Sequence, residues 1–237
     1  MTWNSPTFLN YLLDARMAHA ALVTLAVAVA AQAAATVIGF ALALALRSRF
    51  RAAHAAATAY VWLFRGTPPL LLLLLFYFGL PQLGLRLGVL EAGLGCLSLY
   101  AAGYMGEIIR AGLDSVDRGQ VEASRSIGFS RFATLRLVVL PQAMRVMLPP
   151  FGNEFASMMR TTSLLSVISF EELLRVTTIA INETFRPLEL YTVAAIYYLG
   201  MTTLWMAIQS LLERRFAIGR TPAALSNFAT RTSGSPA

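Results

Sequence analysis

The sequence contains no lysine; all 19 of its basic residues are arginine. A glycine-rich phosphate loop closes on Gly-Lys-Ser/Thr and needs that lysine to reach the phosphates, so the chain carries no such loop. It has a single cysteine, Cys96, which cannot close an internal disulfide, and no CxxC or Cys/His cluster. The two histidines, His19 and His54, stand far apart and read as incidental polar positions near membrane ends. With one thiol and two isolated imidazoles there is no nucleophile–base constellation and no metal-ligand set. Charge is scarce as well. Asp, Glu, Lys and Arg make up 13% of the chain, where a soluble domain carries about 25%.

Apolar residues are abundant. They supply 57% of the 237 residues, the mean hydropathy is +0.63, and they fall in long blocks. This is the pattern of an integral membrane protein. The net charge of +7 then marks loops on the cytoplasmic side, and a nucleic-acid partner is excluded by the hydrophobicity. The N-terminus, MTWNSPTFLNYLLDAR, lacks a basic region before its first apolar block. No cleavable signal is expected, and the first span serves as an uncleaved one.

Apolar windows place five spans, at about 20–46, 67–85, 91–112, 137–158 and 190–212; the third contains Glu107, and the fourth, the weakest, contains Arg145 and Glu154. The segment AAHAAATAYVWLF, between Arg51 and Arg65, is too short for a crossing and reads as a surface helix. SLLSVISF, from Ser163 to Phe170, reads as a re-entrant segment or a short external helix. The fold class is therefore all-α and polytopic. Arginines crowd one side, with Arg47, Arg49, Arg51, Arg65, Arg110, Arg118, Arg125, Arg131, Arg136, Arg214, Arg215 and Arg220 against Arg16, Arg86, Arg175 and Arg186 on the other. That bias sets the N-terminus outside and the C-terminus in the cytoplasm. Residues 1–19 become an outer segment, 20–216 the membrane domain and 217–237 a flexible cytoplasmic tail.

One polar stretch interrupts the apolar blocks: GQVEASRSIGFSRFATLRLVVLPQA, from Gly119 to Ala143. Physically it is a helix, a break and a second helix, over about 115–135. Asp117 or Ser115 caps the first helix, Gly128 offers a positive-φ end, and Ser130 caps the second. Pro141 lies inside that second helix and is expected to kink it. Three charges fall within the spans, Glu107, Arg145 and Glu154, and intramembrane charges are functional candidates. Glu107 and Arg145 read as interfacial. Glu154 is a candidate for lining a path or meeting a substrate ammonium or guanidinium, with pairing to Arg160 as the plainer reading.

The order Glu122-Ala123-Ser124, then Gly128, then Val138, Leu140 and Pro141 resembles the EAA loop of ATP-binding-cassette importer permeases. Ser124 stands in place of the loop's second alanine and Val138 in place of its isoleucine. RGTPPLLLLLLFYFGLP (65–81), AGYMGEIIRAGLDSVDRGQ (102–120), LPQAMRVMLPPFGNEF (140–155) and TSLLSVISFEEL (162–173) resemble the polar-amino-acid and opine branch of these permeases. One departure is that Arg160 and Thr161 stand where that branch commonly has Lys-Asp.

The resemblance implies the type I importer permease fold in a bacterial inner membrane. Its implied partners are cytoplasmic ATPase subunits, a second permease subunit (a copy of this chain or a paralogue), an external solute-binding protein and a polar amino acid or opine. The chain itself has no catalytic residue, cofactor or metal, and ATP and magnesium are held by the ATPase partner. Glu122, Ala123, Ser124, Ile127, Gly128 and Phe129 would form the coupling helix that docks on the ATPase. Asn153, Glu154 and Arg160 would lie on the translocation path. The alternative class is an ion-coupled secondary transporter or channel, which requires inverted repeats or a proton relay; neither is visible.

Overall fold

Residues 3–216 are described by a computed structural model, and among them there are helices and turns but no strand. The expected flexible tail of 217–237 lies outside the described residues. In chain order the helices are α1 (Ser5–Leu12), α2 (Ala15–Leu46), α3 (Arg51–Gly66), α4 (Pro69–Leu74), α5 (Val89–Asp114), α6 (Arg118–Ser126), α7 (Arg131–Thr134), α8 (Leu140–Thr161), α9 (Leu173–Thr184) and α10 (Pro187–Phe216). Helix is what hydrocarbon demands, because every backbone donor and acceptor must be satisfied within the segment.

The centre of the bundle is the α2–α5 pair, the most extensive helix contact in the molecule. Ala31, Ala35, Gly39 and Ala43 recur at four-residue steps on α2, and all are buried. Small residues at that spacing let two helix backbones approach closely in a membrane, where packing replaces the hydrophobic drive. The approach is tightest at Gly39. A Cβ there would sit 2.5 Å from Met105 Cβ and 2.9 Å from Gly106 N. The opposite face of α2 carries Leu22, Val29, Val37, Phe40 and Leu44, all exposed, as a lipid-facing stripe would be. Around this pair pack α3, α8 and α10.

Four helical stretches are long and apolar enough to cross a membrane: α2, α5, the continuous run Arg131–Ile168, and α10. The fifth expected span has a different form. Residues 69–83 cover only ~22 Å at 1.5 Å per residue, short of the ~30 Å hydrocarbon core. They reach span length only together with α3, and the pair is bent by 103°. The bend follows from Pro68, which forces Thr67 out of the helical region, to φ −103°, ψ 134°. The segment expected as a separate surface helix thus forms a bent pair with residues 69–83, and the two together make up the fifth apolar stretch of span length. It is held to α5 by Tyr60 Oη donating to Leu99 O at 2.7 Å.

The expected kink at Pro141 is realised as a π-helical turn, Leu135–Val139, one residue before the proline. The same arrangement recurs at Leu75–Gly79, followed by Leu80 and Pro81. A proline ring clashes with the carbonyl four residues back. The wider turn moves that carbonyl aside and lets the helix run on. SLLSVISF does not begin a helix of its own: the 3-10 helix Thr162–Ile168, which includes its first six residues, continues α8 and stops at Ser169, in the left-handed region.

A second, outer cluster joins α1, the start of α2, α9 and the start of α10 around Met17, Leu173, Leu190 and Val193. Its anchor is Glu172, fully buried at the N-terminus of α9. The carboxylate accepts bonds from Leu174 N (3.0 Å), Arg175 N (2.8 Å) and Tyr198 Oη (2.9 Å). Burial is the largest influence on this carboxyl and pushes it above the usual glutamate range, against the donated bonds that hold it down.

Two tests follow from these contacts. Gly39→Ala should destabilise the purified chain by about 1–3 kcal/mol through overpacking. Gly95→Ala, where a Cβ meets nothing within 4 Å, should be neutral or gain up to about 1 kcal/mol; thermal melts in detergent compare them. The folded chain holds the Glu172 proton more tightly than the unfolded chain does. Its stability therefore falls as pH rises from the ordinary value of 4.5 through the raised one. Glu172→Gln removes this titration, so its melting temperature should fall less over that range, and parallel melting curves for the two proteins would contradict the assignment.

Candidate functional site

Two groups of polar residues stand out, one at the arginine-rich end of the bundle and one within it. At the arginine-rich end, α6 begins at Asp117, whose side chain accepts from Gly119 N at 2.7 Å. It ends at Gly128, with φ +90°. A Cβ on Gly128 would meet nothing within 4 Å, so the glycine is there for its backbone angle and not for space. Ser130 then caps α7 by accepting from Ala133 N at 3.1 Å. All three capping expectations therefore appear where the sequence placed them.

The side chains of this segment divide by face. Ile127 is 74% exposed and Phe129 36%, and Ala123 is exposed beside them. Ser124 is turned the other way, 5% exposed against Thr134 at 4%. Their hydroxyls are hydrogen-bonded at 3.1 Å, and Ser124 Oγ also donates to Val121 O at 2.8 Å. The serine that replaces the loop's alanine is therefore a tie between α6 and the helix that follows, not a point of close approach to a partner. Arg118, Val121, Glu122 and Arg125, at helical spacing, share one face of α6. That face lines a cavity of about 680 Å³ together with Arg47, Asp114 and Arg131.

Within the bundle, a ladder of alternating charge runs along α5. Arg47 Nε lies 2.8 Å from Asp114 Oδ1, and Arg110 bridges Asp114 and Glu107 at 3.6 and 3.4 Å. Arg65 Nη1 reaches Glu107 Oε2 at 3.5 Å. Arg65 also lies over the Tyr104 ring, 4.8 Å from its centroid. Glu107, expected as an interfacial charge, instead ties α3 to α5. Glu154 is half-buried and forms no ion pair among the described residues; Arg65 and Tyr100, whose hydroxyl donates to Tyr104 Oη at 3.3 Å, are its charged and polar neighbours at longer range.

Of the three expected path residues, only Glu154 joins this group. Asn153 and Arg160 are exposed. Glu154 and Arg160 form no ion pair among the described residues. Six residues along an α-helix amount to about 600°, which sets the two on different faces. The residues missed from sequence are Arg65, Tyr100 and Tyr104. Their only local signal was an arginine beside the Thr67-Pro68-Pro69 break. The helix carrying Glu154 is clasped by α10, where Trp205 Nε1 donates to Gly152 O at 2.8 Å and Gln209 Nε2 to Pro149 O at 3.2 Å. Gly152 leaves the room that Gln209 occupies.

Comparison with known proteins agrees with this geometry. A family model described as "Binding-protein-dependent transport system inner membrane component" matches residues 35–218. The arginine transport system permease protein ArgU of Corynebacterium glutamicum is 37% identical over 230 residues, 91% of this chain and 72% of that protein. The octopine transport system permease protein OccM of Rhizobium meliloti is 40% identical over 163 residues, 65% of this chain and 66% of that one. Among solved structures, an amino acid ABC transporter chain superposes with a TM-score of 0.83 at 35% identity, covering 91% of this chain and all of that one.

The Ser124–Thr134 tie is directly testable. A double-mutant cycle with Ser124→Ala and Thr134→Ala should return a coupling of about 0.5–1.5 kcal/mol in thermal stability. Hydrogen-exchange protection across α6 should fall in Ser124→Ala. Additive effects would mean that the two hydroxyls are not joined.

Proposed function

The chain belongs to the binding-protein-dependent transport system inner membrane components, the permease subunits of ATP-binding-cassette importers, and on that premise we propose how its two sites work. The substrate is a polar amino acid or an opine. The names of its relatives support that class, and so does the chemistry of the bundle. An amino acid carries one carboxylate and at least one ammonium, and Arg65 with Glu154 offers one fixed charge of each sign beside the tyrosine pair. Arg65 is delocalised and permanently charged, suited to a carboxylate. Glu154 is suited to an ammonium or guanidinium.

α6 is the handle on which a cytoplasmic ATPase subunit pulls. The observation that carries this reading is that α6 is exposed at its apolar end while tied at its other face. Ile127 and Phe129 stand out beside Gly128, and Ser124 is bonded to Thr134 at the foot of the continuous Arg131–Ile168 helix. Force on the exposed end therefore passes into a membrane-spanning helix as rigid-body motion. Glu122 faces the arginine cavity, so Ala123, Ile127, Gly128 and Phe129 are the main contacts with the ATPase. The remaining parts of the reading go together. The chain has no ATPase site of its own, and ATP and magnesium are bound by the partner. It pairs with a second permease subunit, receives substrate from an external binding protein, and keeps its N-terminus outside and its C-terminus in the cytoplasm.

Uptake into proteoliposomes, with cognate ATPase subunits and binding protein supplied, tests both sites. Gly128→Val should reduce ATP-driven uptake of labelled arginine, glutamine or octopine at least about tenfold, since a β-branched residue resists positive φ. Gly128→Asn, which tolerates it, should keep much of the activity. Glu154→Gln and Arg65→Gln should each impair uptake while ATPase assembly stays intact. Uptake driven by an ion gradient without ATP would overturn the reading, as would wild-type uptake by Gly128→Val.

A further inference from the structure

The cavity beneath α6 has a composition that the coupling role does not account for. Four arginines, Arg47, Arg118, Arg125 and Arg131, line it against two carboxylates, Asp114 and Glu122. Arg47 is engaged by Asp114 at 2.8 Å. Arg118, Arg125 and Arg131 make no ion pair among the described residues. Apart from Thr134, the rest of the wall is apolar: Leu113, Val116, Val121, Leu135 and Val139. Unpaired cations above an apolar wall suit an amphiphile better than a free ion.

A second observation points the same way. A wholly apolar groove of about 440 Å³ runs between α2, α5 and α8, and Leu113 lines both it and the arginine cavity. Val37, Phe40, Ile109, Leu140, Met144 and Phe151 are among its walls. The groove meets the charged cavity at Leu113 and lies along the spans, with Val37 and Phe40 of the lipid-facing stripe of α2 in its wall. A charged compartment at the end of the spans that opens onto an apolar channel along them has the two-part shape of a phospholipid. Basic pockets between membrane helices recognise anionic headgroups in this manner.

We propose that the arginine cavity and the groove together bind one anionic glycerophospholipid from the leaflet on the α6 side. Its phosphate lies among Arg118, Arg125 and Arg131, and one acyl chain lies along Ile109, Leu140 and Met144. The inference deepens the reading of α6 as a coupling element, because Arg118 and Arg125 belong to that helix. The lipid then joins the face of α6 that turns away from Ile127 and Phe129 to the ends of α2 and α5. It rests on the cavity and groove alone and stands even if the ATPase docks elsewhere.

The test is native mass spectrometry of the full-length chain, purified in mild detergent and offered phosphatidylglycerol or phosphatidylcholine with identical acyl chains. Wild type should retain phosphatidylglycerol preferentially. The Arg125→Gln/Arg131→Gln variant should lose about thirtyfold of that preference, as two cations near the surface would contribute. Met144→Trp, which fills the groove and leaves the arginines untouched, should reduce retention of the lipid independently. Equal retention of the two lipids would overturn the proposal, as would a preference unchanged in both variants. Displacement of phosphatidylglycerol by millimolar inorganic phosphate would assign the cavity to a free anion instead. Release of the lipid on assembly with the ATPase subunits would assign it to that protein interface. Transport assays do not enter this test, so its failure leaves the coupling role of α6 standing.

Discussion

The close approach of α2 and α5 is the contact on which the other elements depend. It exists because one face of α2 carries only small side chains, at the steps that bring them into line. α3 and α8 pack against α5, which that seam fixes, and α10 joins the bundle through α8 at one end and through the start of α2 and α9 at the other. Little of this is hydrophobic drive in the ordinary sense, since lipid is as apolar as the side chains it would displace. Shape holds the pair together, and shape fails abruptly when a methyl group is added at the wrong place.

With α5 fixed, its polar residues become a framework for charge. Glu107, Arg110 and Asp114 lie three or four residues apart on one side of the helix, and Arg65 and Arg47 come to them from α3 and α2. Each ion in the ladder has an opposite neighbour, which is how charges are tolerated at such depth. The ladder also has a direction. It begins beside Glu154 and the tyrosine pair and ends at the arginine cavity under α6, so the intramembrane cluster and the cytoplasmic-end segment share a single line of contacts.

Local features of this molecule were legible in the sequence. Asp117, Ser130 and Gly128 act within a few residues of themselves, so their caps and turn follow from residue type. The apolar windows located four long spans for the same reason. What failed to show was whatever depends on a neighbour from elsewhere in the chain. Arg65 is 39 positions from Tyr104 and 89 from Glu154, and nothing nearby announces that Arg65 lies over the Tyr104 ring or that Glu154 shares their neighbourhood. The substitution of serine for alanine at position 124 looked neutral by size, and only the presence of Thr134 gives its hydroxyl a role. The pairing of Glu154 with Arg160 was drawn from nearness in sequence, and the turn of the helix separates them. The bend that Pro68 imposes between α3 and residues 69–83 was not legible either, because hydropathy counts residues and does not see direction.

The two π-helical turns have a consequence for how the long helices present their faces. Each carries an additional residue within its turn, so everything beyond it is rotated by about 100° relative to an unbroken α-helix. A side of the helix that faces lipid along α8 is therefore not continued by the same stripe along α7. The phase of the helix is reset at Leu135–Val139, and a single helical wheel drawn from residue 131 to 161 would misplace the faces of α7 relative to those of α8.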